Sequence, residues 1–225
     1  MLRQALLLFS LVVLNMAEAD LIAQKFREAE IVPDVVVHPP RSELKVLFEG
    51  ADGQCARDEI RGGEEEEDES LCPPRPLSSD QVTFFGNLQV EPGAEYTQTD
   101  TARLPFQFDL QGARESSFYT ILMVDPDAPS RDDPRFRSWL HLMIVNVPAV
   151  RGTLKHLDGD TIVPYNGPTP PKGIHRYVFL VYDQKGQQKS PTAPGSRGGF
   201  NVERFAQNQK LGDPVAGTFF YTRAR

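Results

Sequence analysis

Three long stretches of the chain have the apolar content and the period of buried β-strands. They are FYTILMV (118–124), WLHLMIVNV (139–147) and HRYVFLVYD (175–183), and all three are rich in β-branched and aromatic residues. Shorter strand patterns occupy residues 43–48, 82–87, 104–110 and 215–222, and proline and glycine punctuate the segments between them. Many strands and few helices predict a mostly β fold, a β-sandwich with a few peripheral helices.

Two other segments have helical spacing. The first covers residues 20–30, and Pro33 ends it. The second covers residues 201–212, with Asn201 as its N-cap and Gly212 closing it. The apolar residues that we expect to face the core are Leu21, Ile22, Phe26 and Ala29 in the first helix and Val202, Phe205 and Ala206 in the second.

A period of two sorts the side chains of the long strands into faces. The stripes that carry a titratable group are Tyr119–Ile121–Met123–Asp125, Trp139–His141–Met143–Val145 and His175–Tyr177–Phe179–Val181. Arg176 falls on the face opposite His175. Each stripe is apolar with a titratable group at or near one end, which predicts a polar pocket at the rim of a hydrophobic core.

The first 19 residues have the layout of a secretory signal peptide. MLRQ carries one positive charge, ALLLFSLVVL is a ten-residue apolar run, and Ala17-Glu18-Ala19 is a small-x-small cleavage site. Ten apolar residues are too few to cross a bilayer, which takes about 20. We therefore expect a secreted chain that starts at Asp20 and forms one domain over 20–225, with no transmembrane segment after cleavage.

The charge is concentrated in one segment. The formal net charge is −7, and residues 49–80 hold eleven Asp and Glu against three Arg, so the remainder is close to neutral. This segment reads as a surface insertion, because it has few apolar residues and six consecutive acids. An acidic run is usually just solvated, and no calcium-loop spacing is visible in it. With no basic face, nucleic acid is not an expected partner.

Both cysteines of the chain, Cys55 and Cys72, lie in the acidic segment. In a secreted protein a disulfide between them is the natural interpretation. In the chain-entropy model a loop of that size contributes roughly 3 kcal/mol. No histidine accompanies them, which makes them a poor metal site.

An enzyme is a weaker hypothesis. Ser130, His141 and Asp125 supply the residue types of a hydrolase, but no G-x-S-x-G elbow occurs. Two histidines and one carboxylate are also ligands that metals accept, but their spacing is not that of a metal motif. We expect a protein that is not an enzyme and holds neither a cofactor nor a metal.

Several motifs in order resemble the phosphatidylethanolamine-binding protein family. They are DPDAPSR (125–131), WLH (139–141), GPTPPKGIHRY (167–177) and LGDPVAGTFF (211–220). The resemblance runs from about Ile31 to Phe220, apart from the acidic insertion. It implies a β-sandwich with a small rim pocket for phosphate-like anions.

By motif, the pocket residues of this family fall on Asp125, His141, His175 and Tyr177, with Pro170 and Pro171 in the wall. The family's internal ion pair falls on Asp127 and Arg176, which we interpret as a brace of the fold. Leu140 stands where the usual animal pattern W-H-H has its first histidine, so the pocket must depend on His141. Taken without the resemblance, each histidine is more simply a satisfied core residue.

The resemblance also suggests a subtype and a partner. The signal peptide, REAEIVPDVV (27–36) and RSWLH (137–141) are similar to secreted arthropod members described as odorant-binding-like. The implied function is a secreted, non-enzymatic binding protein for a phosphate-bearing small molecule or phospholipid headgroup. The alternative is a secreted regulator, such as a serine protease inhibitor, whose partner is an extracellular protease or receptor.

Overall fold

A computed structural model describes residues 19–50, 87–115 and 117–225. Most of the predicted signal peptide, most of the predicted insertion, Cys55 and Cys72 lie outside these ranges. The helices are α1 (19–28), α2 (Ile31–Asp34) and α3 (Val202–Asn208), with a 3-10 turn at His156–Asp158. The strands are β1 (Leu44–Glu49), β2 (Asn87–Gln89), β3 (Gln107–Leu110), β4 (Phe118–Asp125), β5 (Trp139–Val150), β6 (Thr153–Leu154), β7 (Asp160–Val163), β8 (Ile174–Asp183) and β9 (Ala216–Arg223).

The strands form an antiparallel sheet in the order β2-β1-β3-β6-β5-β4-β8-β9, and β7 pairs with β5. The long strand β5 pairs with β4 and β7 along most of its length and with β6 at its end, so it belongs to two layers. A parallel bridge between Glu43 and Gly217 brings the start of β1 beside β9. The described part of the chain is therefore a mostly β sandwich, as the strand patterns predicted.

Two hydrophobic clusters hold the layers together. One lies between the two sheet layers and joins Val46 and Phe108 to Met123 and Phe179. The other lies between the outer face of β4, β5 and β8 and the helices. Full burial of one such side chain contributes about 1.5–3 kcal/mol, so these clusters are the main source of stability.

Both predicted helices are present, but their ends differ from the prediction: α1 ends at residue 28, and Pro33 lies within α2 instead of ending α1. In α1, Ile22 and Phe26 are buried, but Leu21 is 52% exposed, because it lies at the margin of the buried face. Asn201 caps α3 by accepting a hydrogen bond from the Arg204 amide at 2.7 Å. This helix ends at Asn208, earlier than predicted. No helix within the described residues is long and apolar enough to span a membrane.

The period of two is confirmed in β4 and β8 but is wrong in β5. Leu140 and Met143 both pack on the helix side, although they are three positions apart. The cause is a β-bulge: Met123 pairs with Leu142 and the next residue of β4 pairs with Leu140, which leaves His141 as the extra residue. His141 therefore does not share a face with Met143 as the alternation predicted.

Candidate ligand-binding site

A cavity of about 220 Å³ opens where β4 ends and where β5 and β8 begin. Antiparallel pairing brings these three strand ends together, with Asp125 directly opposite Trp139. The polar lining comes from Asp125, His141, Asn166, Thr169 and Tyr177, and the apolar wall from Ala128, Pro129, Phe136, Trp139 and Pro171. The bulge in β5 turns the His141 side chain toward this cavity instead of the helix side.

Four of the six predicted ligand-binding residues line the cavity, namely Asp125, His141, Tyr177 and Pro171. Pro170 is buried in the same loop but is not part of the lining. His175 lies behind the wall and is fully buried. A direct contact between His175 and a ligand stays a prediction, and the geometry gives this residue another role.

His175 and Asp125 form a buried ion pair. The Nδ1 atom of His175 lies 2.7 Å from Asp125 Oδ2, and its Nε2 lies 3.1 Å from the Lys172 carbonyl. Both partners are acceptors, so the doubly protonated ring satisfies both. Burial by itself lowers the pKa of His175, but the hydrogen bond and charge of Asp125 outweigh it and raise that pKa above its ordinary value. The second carboxylate oxygen of Asp125 accepts the Asp127 amide at 2.7 Å.

His141 has the opposite electrostatic environment. Its Nδ1 lies 2.5 Å from the Asn166 carbonyl, and the Asn166 amide donates to the His141 carbonyl at 3.0 Å. Burial lowers the pKa of His141, and the Asn166 carbonyl and the Asp125 charge offset this only in part. The neutral ring therefore carries its proton on Nδ1, and Nε2 is the nitrogen without a hydrogen bond to any described residue.

Tyr177 supplies a protonated hydroxyl. Burial raises the pKa of this phenol above its ordinary value, and the negative charge of Asp125 adds to the effect. Its ring stacks on Phe220 at 5.5 Å between centroids and meets the His141 ring edge-on at 5.2 Å. These contacts fix the ring, so the hydroxyl is a positioned hydrogen-bond donor.

Asp127 and Arg176 pair outside the cavity. Asp127 Oδ2 accepts from the Arg176 amide and from its Nε, both at 2.9 Å, and Oδ1 lies 2.5 Å from Nη2. The guanidinium also donates to the Ala29 carbonyl at 2.8 Å and to Asp34 at 2.9 Å. Burial raises the pKa of Asp127, but Arg176 outweighs it and holds that pKa below its ordinary value. The pair joins α1, α2, the loop after β4 and β8.

Some lining residues were missed in the sequence. One of them is Asn166, whose amide donates to the His141 carbonyl and whose carbonyl sets the orientation of the His141 ring. Phe136 and Trp139 form an aromatic rim with their rings 6.2 Å apart. The sequence signal for this rim was Phe136, an aromatic residue between two arginines in a loop. In the structure its side chain is exposed.

Two other chemical features bear on the site. Ser130 lies in a neighbouring groove with Arg131 and Lys172 and does not line the cavity. Within residues 19–50, 87–115 and 117–225, no group of three His, Cys, Asp or Glu side chains is arranged to hold a metal ion.

The family model described as phosphatidylethanolamine-binding protein matches residues 78–220 of the chain. The chain belongs to this family. Among its relatives, the putative odorant-binding protein A5 of Drosophila melanogaster is 41% identical over 160 residues, which cover 67% of this chain and 72% of that protein. The protein SELF-PRUNING of Solanum lycopersicum is 36% identical over 150 residues, which cover 67% and 82%.

The solved structures show the same fold. The carboxypeptidase Y inhibitor, crystallised with its cognate proteinase, superimposes with a TM-score of 0.68 over 92% of this chain and 97% of the inhibitor. At 20% sequence identity this likeness concerns the fold alone. Family membership supports a binding-protein function, and the geometry of the cavity provides the detail.

Proposed function

We propose that this protein is a secreted, non-enzymatic binding protein whose cavity takes a small phosphate-type anion, such as a phosphatidylethanolamine-like headgroup. The proposal rests on one observation: His141 and Tyr177 line the same cavity as Asp125, and the carboxylate of Asp125 is already paired with the buried His175. Asp125 alone would repel an anion. Paired with protonated His175, it contributes no net charge.

The size and lining of the cavity support a headgroup and not a whole lipid. A volume of about 220 Å³ is smaller than that of typical drug-sized pockets, which run from roughly 300 to 1,000 Å³. The Tyr177 hydroxyl and the protonated His141 ring are donors for phosphate oxygens, and charge-assisted bonds are roughly twice as strong as neutral ones. Phe136 and Trp139 offer ring faces to an attached ammonium group.

Calorimetric titration with phosphorylethanolamine tests the proposal. We expect His141→Ala to weaken binding by at least about tenfold, because it removes the ring that would contact phosphate. His175→Ala should also weaken binding, because it leaves the Asp125 charge unpaired beside the cavity. His38→Ala is the matched control, since His38 is an exposed histidine with a 66% exposed side chain. Equal affinity of the wild type and the His141 variant would contradict the proposal.

The second candidate is a secreted protein regulator such as a serine protease inhibitor. Its support is the fold shared with the carboxypeptidase Y inhibitor. The two functions separate in the same variants. An inhibitor that works through its outer surface keeps its potency in His141→Ala, whereas anion binding is lost.

We also propose export of the protein, cleavage after Ala19 and a Cys55–Cys72 disulfide in the acidic insertion, as expected for the odorant-binding-like subtype. The 41% identity to the Drosophila protein supports this subtype. Expression of the full chain in insect cells should give a protein in the medium that begins at Asp20. Mass spectrometry before and after reduction should then show a gain of two hydrogens. Retention of residues 1–19 or two alkylatable thiols would contradict it.

A further inference from the structure

Arg197 reaches the backbone around the cavity from outside the sheet. It lies in the connection between β8 and α3 and is half-buried. Its Nη1 donates to the carbonyls of Leu140 at 2.9 Å and His141 at 3.1 Å, and its Nη2 donates to the Pro164 carbonyl at 2.9 Å. One guanidinium therefore binds three main-chain oxygens on two separate segments.

Both segments carry cavity residues. Leu140 and His141 belong to β5, while Pro164 begins the loop that holds Asn166, Thr169 and Pro171. The planar fork of arginine suits this task because it presents several donors in a fixed geometry. Lysine has a single ammonium on a flexible stem and would not span both segments equally well.

The backbone of Arg197 is itself held in place. Its carbonyl accepts the Leu140 amide at 2.8 Å. The following Gly198 packs so closely on the rim that an added Cβ would lie 3.3 Å from the Trp139 ring. The guanidinium thus extends from an anchored point, and its bonds can fix the loop relative to β5.

The consequence falls on His141. Its carbonyl accepts from both Arg197 and the Asn166 amide, and its ring nitrogen Nδ1 bonds to the Asn166 carbonyl. This last bond decides which ring nitrogen carries the proton in the neutral form. It depends on the loop staying where Arg197 holds it.

We propose that Arg197 is a positioning residue for the cavity. It clamps the Pro164–Pro171 loop onto β5 and thereby keeps the Nδ1–H of His141 bonded to the Asn166 carbonyl. The second proton, taken up when the anion binds, is then carried by Nε2 and faces the ligand. The inference deepens the proposed anion site and rests on it only for the ligand-binding part.

Other groups also act on His141 and must be held constant in a test. Asp125 on β4 and His175 and Tyr177 on β8 face it, and the positive charge of Arg197 contributes to its lowered pKa. Arg197→Lys keeps that charge but loses the fork. Arg197→Met loses both. The comparison separates a clamp from a simple charge effect.

The tautomer is measurable in the ligand-free protein from the imidazole ¹⁵N chemical shifts at pH 7.5. We expect the wild type to show protonated Nδ1 and unprotonated Nε2 at His141. Arg197→Met should release the loop, so that Nδ1 loses its fixed acceptor and the other tautomer becomes populated. It should also raise the dissociation constant for phosphorylethanolamine roughly tenfold, because the ring is no longer held with Nε2 toward the phosphate. Arg197→Lys should fall between the two. Arg204→Met on α3 is the control, because Arg204 is an exposed arginine whose substitution should change neither.

The outcomes separate the two proposals. An unchanged tautomer in Arg197→Met, with or without a change in affinity, would overturn the clamp. A wild type that does not bind phosphorylethanolamine would overturn the proposed function, whereas the tautomer shift would still support the role of Arg197. If the Met variant does not fold, Arg197→Lys and Arg197→Gln give the same readout.

Discussion

The two histidines of the site differ in what faces them. His175 meets a carboxylate and a carbonyl, so the charged ring is favoured and its pKa is raised despite burial. His141 meets a carbonyl and lies near a guanidinium, so burial prevails and its pKa is lowered. Groups whose pKa values are pushed apart in this way have separate tasks. One neutralises Asp125, and the other stays available for the ligand.

This difference predicts the pH dependence of anion binding. A phosphate favours the protonated form of His141, whose pKa in the free protein lies below the ordinary 6.5. Affinity should therefore rise as pH falls from 7.5 to 5.5, by at most about tenfold per unit for one proton. The raised pKa of His175 moves its own titration toward the upper end of this range.

Calorimetry with phosphorylethanolamine at pH 7.5, 6.5 and 5.5 measures this slope. His141→Gln keeps a polar side chain that does not titrate, so the affinity of this variant should change with pH only through the ionisation of the phosphate itself. A sulfonate ligand, which does not titrate in this range, removes that contribution. A slope that persists in His141→Gln with that ligand would assign the proton elsewhere.

The sequence predicts which residues lie near the site better than it predicts which of them line the cavity. Alternation in β8 correctly put His175 and Tyr177 on the same side, and the family motifs selected the same strand ends. Whether a side chain lines a cavity or lies behind its wall depends on the carbonyl of Lys172 and the loop around it. A periodic pattern does not predict how a loop covers a side chain. For the same reason it does not predict the hydrogen bonds made by Asn166 and Arg197.

At the scale of elements, β5 shows what a periodic pattern misses. Its continuous apolar run predicts a strand, but two register shifts against β4 change which residues face which layer. One leaves His141 as an extra residue, and the other lies beside Asn146, whose φ is +56°. Asparagine tolerates this left-handed region better than most residues. Asn146 within WLHLMIVNV was therefore a local signal for one of the two bulges.

The pairing of β8 and β9 depends on a close approach at Gly217. An added Cβ there would lie 2.9 Å from the Phe179 carbonyl, 3.0 Å from the Phe26 ring and 3.1 Å from Pro40. The Phe179 carbonyl belongs to β8 and the Phe26 ring to α1, and neither can move without disturbing its element. Gly217→Ala should therefore lower the free energy of unfolding by about 1–3 kcal/mol.

Urea unfolding followed by circular dichroism measures the Gly217 effect. Gly195→Ala is the matched control, because nothing lies within 4 Å of its added Cβ and its φ is not in the left-handed region. The control should change stability by less than about 0.5 kcal/mol. Equal stability of the two variants would show that the fold accommodates the added methyl group at Gly217, which would contradict this prediction.

At the scale of the whole molecule, one charge network centred on the buried Arg176 joins the loop after β4 to α2 and to the end of α1. Arg176 on β8 binds Asp127 in the loop after β4, Asp34 in α2 and the carbonyl that follows α1. Arg137, near the aromatic rim, also lies 2.9 Å from Asp34. The interior of the fold is thus connected to the wall of the site, although none of these charges lines the cavity itself.

Asp127→Ala should therefore destabilise the whole fold, by about 3 kcal/mol at pH 7, because it leaves the buried Arg176 cation without its main partner. The folded-state pKa of Asp127 is lowered, so its contribution is complete above the unfolded carboxyl pKa of about 3.9 and is lost as pH falls through the folded value. Urea unfolding should show a large difference from wild type at pH 7 that shrinks below pH 4. Asp133→Ala removes an exposed carboxylate paired with Arg135 and should cost under about 0.5 kcal/mol. A loss in Asp127→Ala that is as small as this control, or that is independent of pH, would show that the helices and the loop are held by hydrophobic packing and not by the network.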